Sequence, residues 1–207
     1  MSPGEILPTA FYDRDPRQVA VDLLGCTLVH ETEGGITSGV IVETESYLCV
    51  DDPACHAYMY PNMRNRTIFG RPALAYVYLA YGVHKLLNVN CEEEGKGSAV
   101  LIRALSPSEG HELMTERRGK MDLCTGPGKL AQALGIDLSL DGHDVTREPL
   151  TISWGESLEG EIVSTTRIGI SCGAELPYRY LVSKNANVSV PPKTIIERGL
   201  KRAKLIS

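Results

Sequence analysis

Strand follows strand through the middle of this chain with no helical segment between them. Residues 26–33 and 36–47 flank Gly34-Gly35, the pattern of a hairpin. Residues 74–80, rich in Tyr and Val, form a third candidate strand, and Tyr81-Gly82 would turn it back into a fourth near residues 85–90. Residues 99–105 make a fifth, apolar except for Arg103. Parallel neighbours need long crossovers, usually helical, whereas antiparallel ones need only a turn. Helical patterns lie to either side. Asp15-Pro16 caps one that ends at Gly25, Ser108 is expected to cap another running through Arg118, and residues 125–134 give a third that stops at Gly135. Shorter strands are expected at 150–153, 166–170 and 178–182. The tail from Pro192 reads either as a helix or as a flexible basic extension. The expected fold class is α+β, one domain over residues 1–207 built on a mainly antiparallel sheet.

The 207 residues can bury a core without staples, and 43% apolar with 23% charged residues is ordinary for a globular protein. No run approaches the ~20 apolar residues of a membrane-spanning helix, so no membrane partner is expected. The N-terminus lacks a basic start followed by an apolar stretch, which makes the cytoplasm the expected compartment. Six scattered cysteines without a Cys-x-x-Cys pair then read as free thiols. Cys49, Cys55 and His56 lie close together but match no zinc spacing, and no metal is expected.

A net charge of −5 hides a strong asymmetry. Residues 1–52 carry ten acids against Arg14 and Arg17, whereas residues 53–91 carry none at all, with Arg64, Arg66, Arg71 and Lys85 among them. A surface cleared of acids suits a polyanion whatever the net charge. Tyr47, Tyr58, Tyr60, Tyr76, Tyr78 and Tyr81 fall in or beside the same stretch. Rings that stack on bases, interleaved with cations that hold phosphates, suit nucleic acid; a sheet with several core tyrosines is the plainer reading.

Strand alternation places Glu43, Glu45 and Tyr47 on one face, with Val42 and Thr44 on the other. A carboxylate beside a tyrosine, with His56 not far beyond, could line an aromatic pocket; glutamates facing water are the commoner case. Tyr76 and Tyr78 share a face, while Tyr81 sits at the turn as either a packed ring or a wedge. Arg103, if buried, needs an anionic partner, and Glu45 is the candidate; a surface-edge arginine is the alternative. Thr125-Gly-Pro-Gly-Lys129 at a helix start suits a phosphate but lacks the spacing of a Walker loop.

Taken in order, Val42-Glu-Thr-Glu-Ser-Tyr-Leu48 with His56, Arg64-Asn-Arg66, Tyr76-Val-Tyr-Leu-Ala-Tyr-Gly82 with Asn88 and Arg103, Cys124-Thr-Gly-Pro-Gly-Lys-Leu130 and Arg179-Tyr-Leu-Val182 resemble the alkyladenine (methylpurine) DNA glycosylases. The resemblance spans nearly the whole chain. It implies a curved antiparallel sheet flanked by helices, a β-hairpin that enters DNA, no cofactor, and duplex DNA containing damaged purines as partner, bound by a monomer. It implies further that Glu45 activates the water while Arg103 and the main chain of Val182 help to hold it. Tyr47, His56 and Tyr78 would be the walls around a flipped base, Asn88 would screen out guanine, and Tyr81 would fill the gap left in the duplex. Arg64, Arg66, Lys85 and Lys129 would contact the DNA backbone. Cys49, Val83 and His84 depart from residues common in the family.

That chemistry suits the residues. Extruding a base costs a few kcal/mol, and stacking on aromatics recovers ~1–3 kcal/mol. An alkylated purine is already cationic and leaves without a proton, so one essential carboxylate suffices where ordinary glycosidases use two. A lyase would need an amine nucleophile, and no lysine falls among the pocket motifs. The rival readings are a non-catalytic DNA-lesion-binding module on the same Tyr/Arg surface, and a metal-dependent hydrolase on Cys55, His56, Asp51 and Asp52.

Overall fold

The computed structural model describes residues 2–58, 66–155 and 159–203. The chain opens with a single helical turn, α1 (Thr9–Tyr12), and then α2 (Pro16–Leu23). Asp15 starts α2 by accepting the Arg17 N–H at 2.8 Å, and Pro16 occupies the first turn, where a missing N–H costs nothing. The expected hairpin follows as β1 (Thr27–Thr32) and β2 (Gly35–Tyr47). A second hairpin joins β3 (Ala75–Ala80) to β4 (His84–Cys91), with Tyr81 and Gly82 both at positive φ in its turn. Then come β5 (Ser98–Glu109), α3 (His111–Arg118), α4 (Pro127–Leu134), β6 (Thr146–Arg147), β7 (Leu150–Ser153), β8 (Ile162–Thr165), β9 (Arg179–Val182) and β10 (Glu197–Leu200).

These ten strands, counted among the described residues, pair antiparallel throughout, so the fold is α+β as expected. The 13-residue β2 is the shared spine. Along one edge it pairs with β5, which leads on to β4 and β3. Its other edge is divided: β1 covers Gly35 to Val40, and β9 takes over at Glu43 to Glu45. The sheet therefore forks at β2, one arm continuing to β7 and β6, the other to β8 and β10. Register shifts between β2 and β5 around Glu43 bend the sheet at the same point.

One face of this spine packs against helices. Thr44 donates to the Ala20 carbonyl of α2 at 2.8 Å, and Val42, Ile102, Leu105, Leu130 and Leu134 belong to the main core. Period two turns the neighbouring residues to the opposite face: Glu43, Glu45 and Tyr47 from β2, Leu101 and Arg103 from β5, Asn88 from β4, and Tyr76 and Tyr78 from β3. A smaller apolar cluster of Cys55, Ala57, Ile68, Tyr76 and Ala99 supports that second face.

Three sequence expectations are corrected. Ser108 does not cap a helix; β5 runs on to Glu109 because residues 106–109 still find partners on β2, and α3 begins after Gly110. Only glycine fits there, since its φ is +77° and a Cβ would lie 2.3 Å from the Ile36 carbonyl oxygen. The strand placed at 166–170 lies instead at Ile162–Thr165, because Arg167 leaves the ladder for a buried ion pair. The described part of the tail, residues 192–203, is neither helical nor a free basic extension. β10 pairs with β8, Ala203 N–H donates to Asp22 at 2.6 Å, and Arg202 lies over the Trp154 ring. Among the described residues no helix is long and apolar enough to cross a membrane.

Candidate active site

A cleft of about 1260 Å³ opens between the β3–β4 hairpin, the start of α4 and residues 168–170, with His56, Tyr78, Arg103 and Lys129 on its walls. Glu45 lies just behind this lining and is completely buried. Its Oε1 accepts the Ile168 N–H at 2.9 Å. Its Oε2 accepts the Tyr47 hydroxyl at 2.8 Å and faces Arg103 Nη1 at 3.3 Å. Every partner is a donor or a cation, the surroundings that suit a carboxylate in its anionic form.

Glu43, two residues before, is buried equally deeply and binds a different set. It accepts from Arg103 Nε at 3.1 Å, Arg179 Nε at 2.6 Å, Ser189 N–H at 2.5 Å and Ser189 Oγ at 2.8 Å. Arg103 thus bridges the two carboxylates, and the expectation that it is buried against Glu45 holds, with Glu43 as a second anchor. Two carboxylates and two guanidinium groups balance locally, as buried charges must.

The aromatic residues assemble in front. Tyr76 and Tyr78 stack with ring centres 5.3 Å apart, and His56 meets Tyr78 edge-on at 4.6 Å. His56 Nδ1 lies 3.0 Å from the Tyr76 hydroxyl. Burial holds the His56 ring below its usual 6.5, so it is neutral near pH 7. Burial likewise pushes the Tyr78 hydroxyl up to about 12, and burial with the nearby Glu45 charge raises Tyr47 further, so both remain donors. Asn88 is buried and donates to the Tyr76 carbonyl at 3.1 Å.

Other expected residues are placed as follows. Tyr81 is 84% exposed at the hairpin tip, its hydroxyl donating to the Gly169 carbonyl at 3.1 Å. Lys129 lines the cleft with its ammonium on Asp122 at 2.5 Å and Thr125 at 3.0 Å. Arg66 and Lys85 are exposed, while Arg64 lies outside the described residues. Val182 ends β9, and its carbonyl accepts the Asn185 N–H at 3.3 Å; the hydrogen bonds that hold Glu45 do not include it. Among the described residues no group of three His, Cys, Asp or Glu side chains is placed to hold a metal. Asp52 of the suggested metal set is instead ion-paired with Arg167.

Sequence reasoning passed over Asp52, Arg167 and Arg179 as ion-pair partners, and over Ser189. One signal was available: Arg167 adjoins a β-branched, apolar run, as Arg103 does, and a cation in such a setting needs an anion.

The model of the methylpurine-DNA glycosylase (MPG) family matches residues 10–186, most of the chain and all of the strands that carry the pocket. The chain belongs to the methylpurine-DNA glycosylase family. A protein of Rubrobacter xylanophilus named "Putative 3-methyladenine DNA glycosylase" is 65% identical over 185 residues, 88% of this chain and 96% of its own length. Proteins of the same name from Carboxydothermus hydrogenoformans and Methanoculleus marisnigri are 49% and 48% identical, each with 98% of its length aligned. In this chain residues 76–82, Arg103 and residues 126–129 of the motifs that carried the resemblance line the cleft together with His56. Residues 43–47 and Arg179–Val182 lie on the strands β2 and β9 that pair with each other beside it.

Proposed function

We propose that this glycosylase excises alkylated or deaminated purines, of the 3-methyladenine, 7-methylguanine and hypoxanthine type, from duplex DNA. The reading is carried by Glu45: a carboxylate buried behind an aromatic cleft and held only by donors. The hairpin tip enters the duplex and Tyr81 takes the place of the extruded nucleotide. The flipped purine then lies between Tyr47 on one side and His56 with Tyr78 on the other. A neutral His56 does not repel a cationic base.

Glu45 is closed off in the free protein, so the attacking water takes the acceptor position that the Tyr47 hydroxyl now fills on Oε2. Glu45 removes a proton from that water as its oxygen bonds to C1′ of the sugar. The C1′–N bond electrons leave with the purine: a cationic alkylated base departs neutral, whereas neutral hypoxanthine departs as an anion that takes up a proton equivalent to the one Glu45 removed, and an abasic site remains. Arg103 keeps the carboxylate in place, and its charge stays balanced by Glu43. The enzyme is monofunctional: Lys129, on the cleft wall, is occupied by Asp122 and Thr125. One chain supplies every group named, so a monomer suffices.

Incubation with a duplex carrying one 7-methylguanine or hypoxanthine, followed by alkali, tests this. Strand scission only after alkali is expected. Scission without alkali would reveal a lyase, and intact strands with every damaged purine would overturn the reading.

A further inference from the structure

Behind the pocket lies a second buried ion pair, separate from the one on Glu43. Arg167 and Asp52 have no side-chain exposure, and both Asp52 oxygens meet Arg167 terminal nitrogens at 2.6 Å. Pairs of this kind contribute little net stability, because desolvation offsets the attraction, and apolar residues often replace them without loss. Stability alone therefore does not account for it. Its contacts do.

Asp52 accepts the Leu48 N–H at 3.1 Å and the Ala54 N–H at 3.2 Å, so it shapes the turn leading from Tyr47 to His56. Arg167 donates to the Ser46 carbonyl at 3.0 Å and the Gly173 carbonyl at 3.3 Å. Its guanidinium carbon lies 4.7 Å from the centre of the Tyr47 ring and 5.4 Å from that of Tyr178. The next residue, Ile168, gives its N–H to Glu45. One arginine thus places its guanidinium on the ring of one wall and on the loop that carries the other, while the peptide N–H that follows it holds the carboxylate.

We propose that Arg167, clamped by Asp52, is a positioning residue for excision: it fixes the Ile168 amide on Glu45 and backs the Tyr47 ring from behind. This rests on the excision reading above. Only arginine performs both tasks, since a planar fork can bind a carboxylate bidentately and stack at once, and an ammonium cannot.

The test measures single-turnover excision, affinity for a duplex containing an abasic site, and thermal melting. Arg167→Lys keeps the charge and loses the fork. Asp52→Asn/Arg167→Gln removes both charges together, so neither is stranded and the fold is retained. Both variants should excise at least about tenfold more slowly, as expected when reacting groups drift by a fraction of an ångström. Affinity for abasic DNA should stay within about twofold, because no base occupies the pocket in that complex. A folded variant that excises at the wild-type rate would refute the proposal, as would affinity for abasic DNA falling by the same factor as the rate. If the wild-type protein releases no damaged purine, the excision reading itself fails and the proposal falls with it. Wild-type excision beside unslowed variants refutes the proposal alone.

Discussion

Replacing Tyr81 with Ala separates two roles for an exposed ring. The side chain is 84% exposed and gives one solvent-accessible hydrogen bond to Gly169, so folding has little to lose. Changes at such positions usually stay within about 0.5 kcal/mol. In DNA the same ring would stack in the vacated space, where base–aromatic stacking is worth ~1–3 kcal/mol. At about 1.4 kcal/mol per factor of ten, its removal should slow excision from a paired site roughly 5- to 150-fold. The defect should shrink opposite a mismatch, where extrusion costs less. Single-turnover excision from paired and mismatched duplexes, beside a melting curve, measures both quantities. A melting point lowered by more than about 5 °C, the mark of over 1 kcal/mol in a chain of this size, with equal relative activity on the two duplexes, would refute the wedge.

Glu45→Gln keeps the shape and loses the basicity. Excision should fall by about 10²–10⁴-fold with damaged-duplex binding retained, and a near wild-type rate would move the base elsewhere. Glu43→Gln strands part of the charge of Arg103 and Arg179 in the interior. It should cost about 3–5 kcal/mol in urea unfolding, whereas breaking the exposed Arg198–Glu161 pair should cost under ~1 kcal/mol. For His56, burial lowers the folded value below 6.5, so the stability from its neutral form is complete above 6.5 and is lost as pH falls through the depressed value. Release of cationic 7-methylguanine should decline over that range, and a His56→Gln enzyme with the same decline would contradict this. Lys85→Ala should weaken binding to any duplex sequence alike and reduce the salt slope by about 1, measured as affinity against salt concentration.

The pocket face was legible because it obeys local rules. Period two along β2 sends Glu43, Glu45 and Tyr47 to one side, and the tyrosine spacing in β3 does the same for Tyr76 and Tyr78. The Tyr81-Gly82 turn was legible from turn chemistry. The supporting charges were not, because no local pattern connects Asp52 to Arg167 or Glu43 to Arg179, which lie far apart in the chain. Ser108 misled because a Ser-Pro-Ser segment looks like a helix entry, while its real partner is the start of β2. The tail misled for the same reason: its strand exists only because β8 offers an edge.

The forked spine has a consequence for synthesis. Glu45 is made early, on a strand whose first neighbours, β1 and β5, are both synthesised by Glu109. Yet the groups that hold and balance it, the Ile168 amide, Arg179 and Ser189, all arrive more than 120 residues later, with β9 closing the second half of the β2 edge. Contacts over such separations form slowly, since a long loop must close before they form. A nascent chain still on the ribosome therefore carries its tyrosines and arginines well before its carboxylate is set. On the proposed function, such a chain would bind polyanions before it could cut a glycosidic bond, and excision would switch on only as the last quarter of the chain docks.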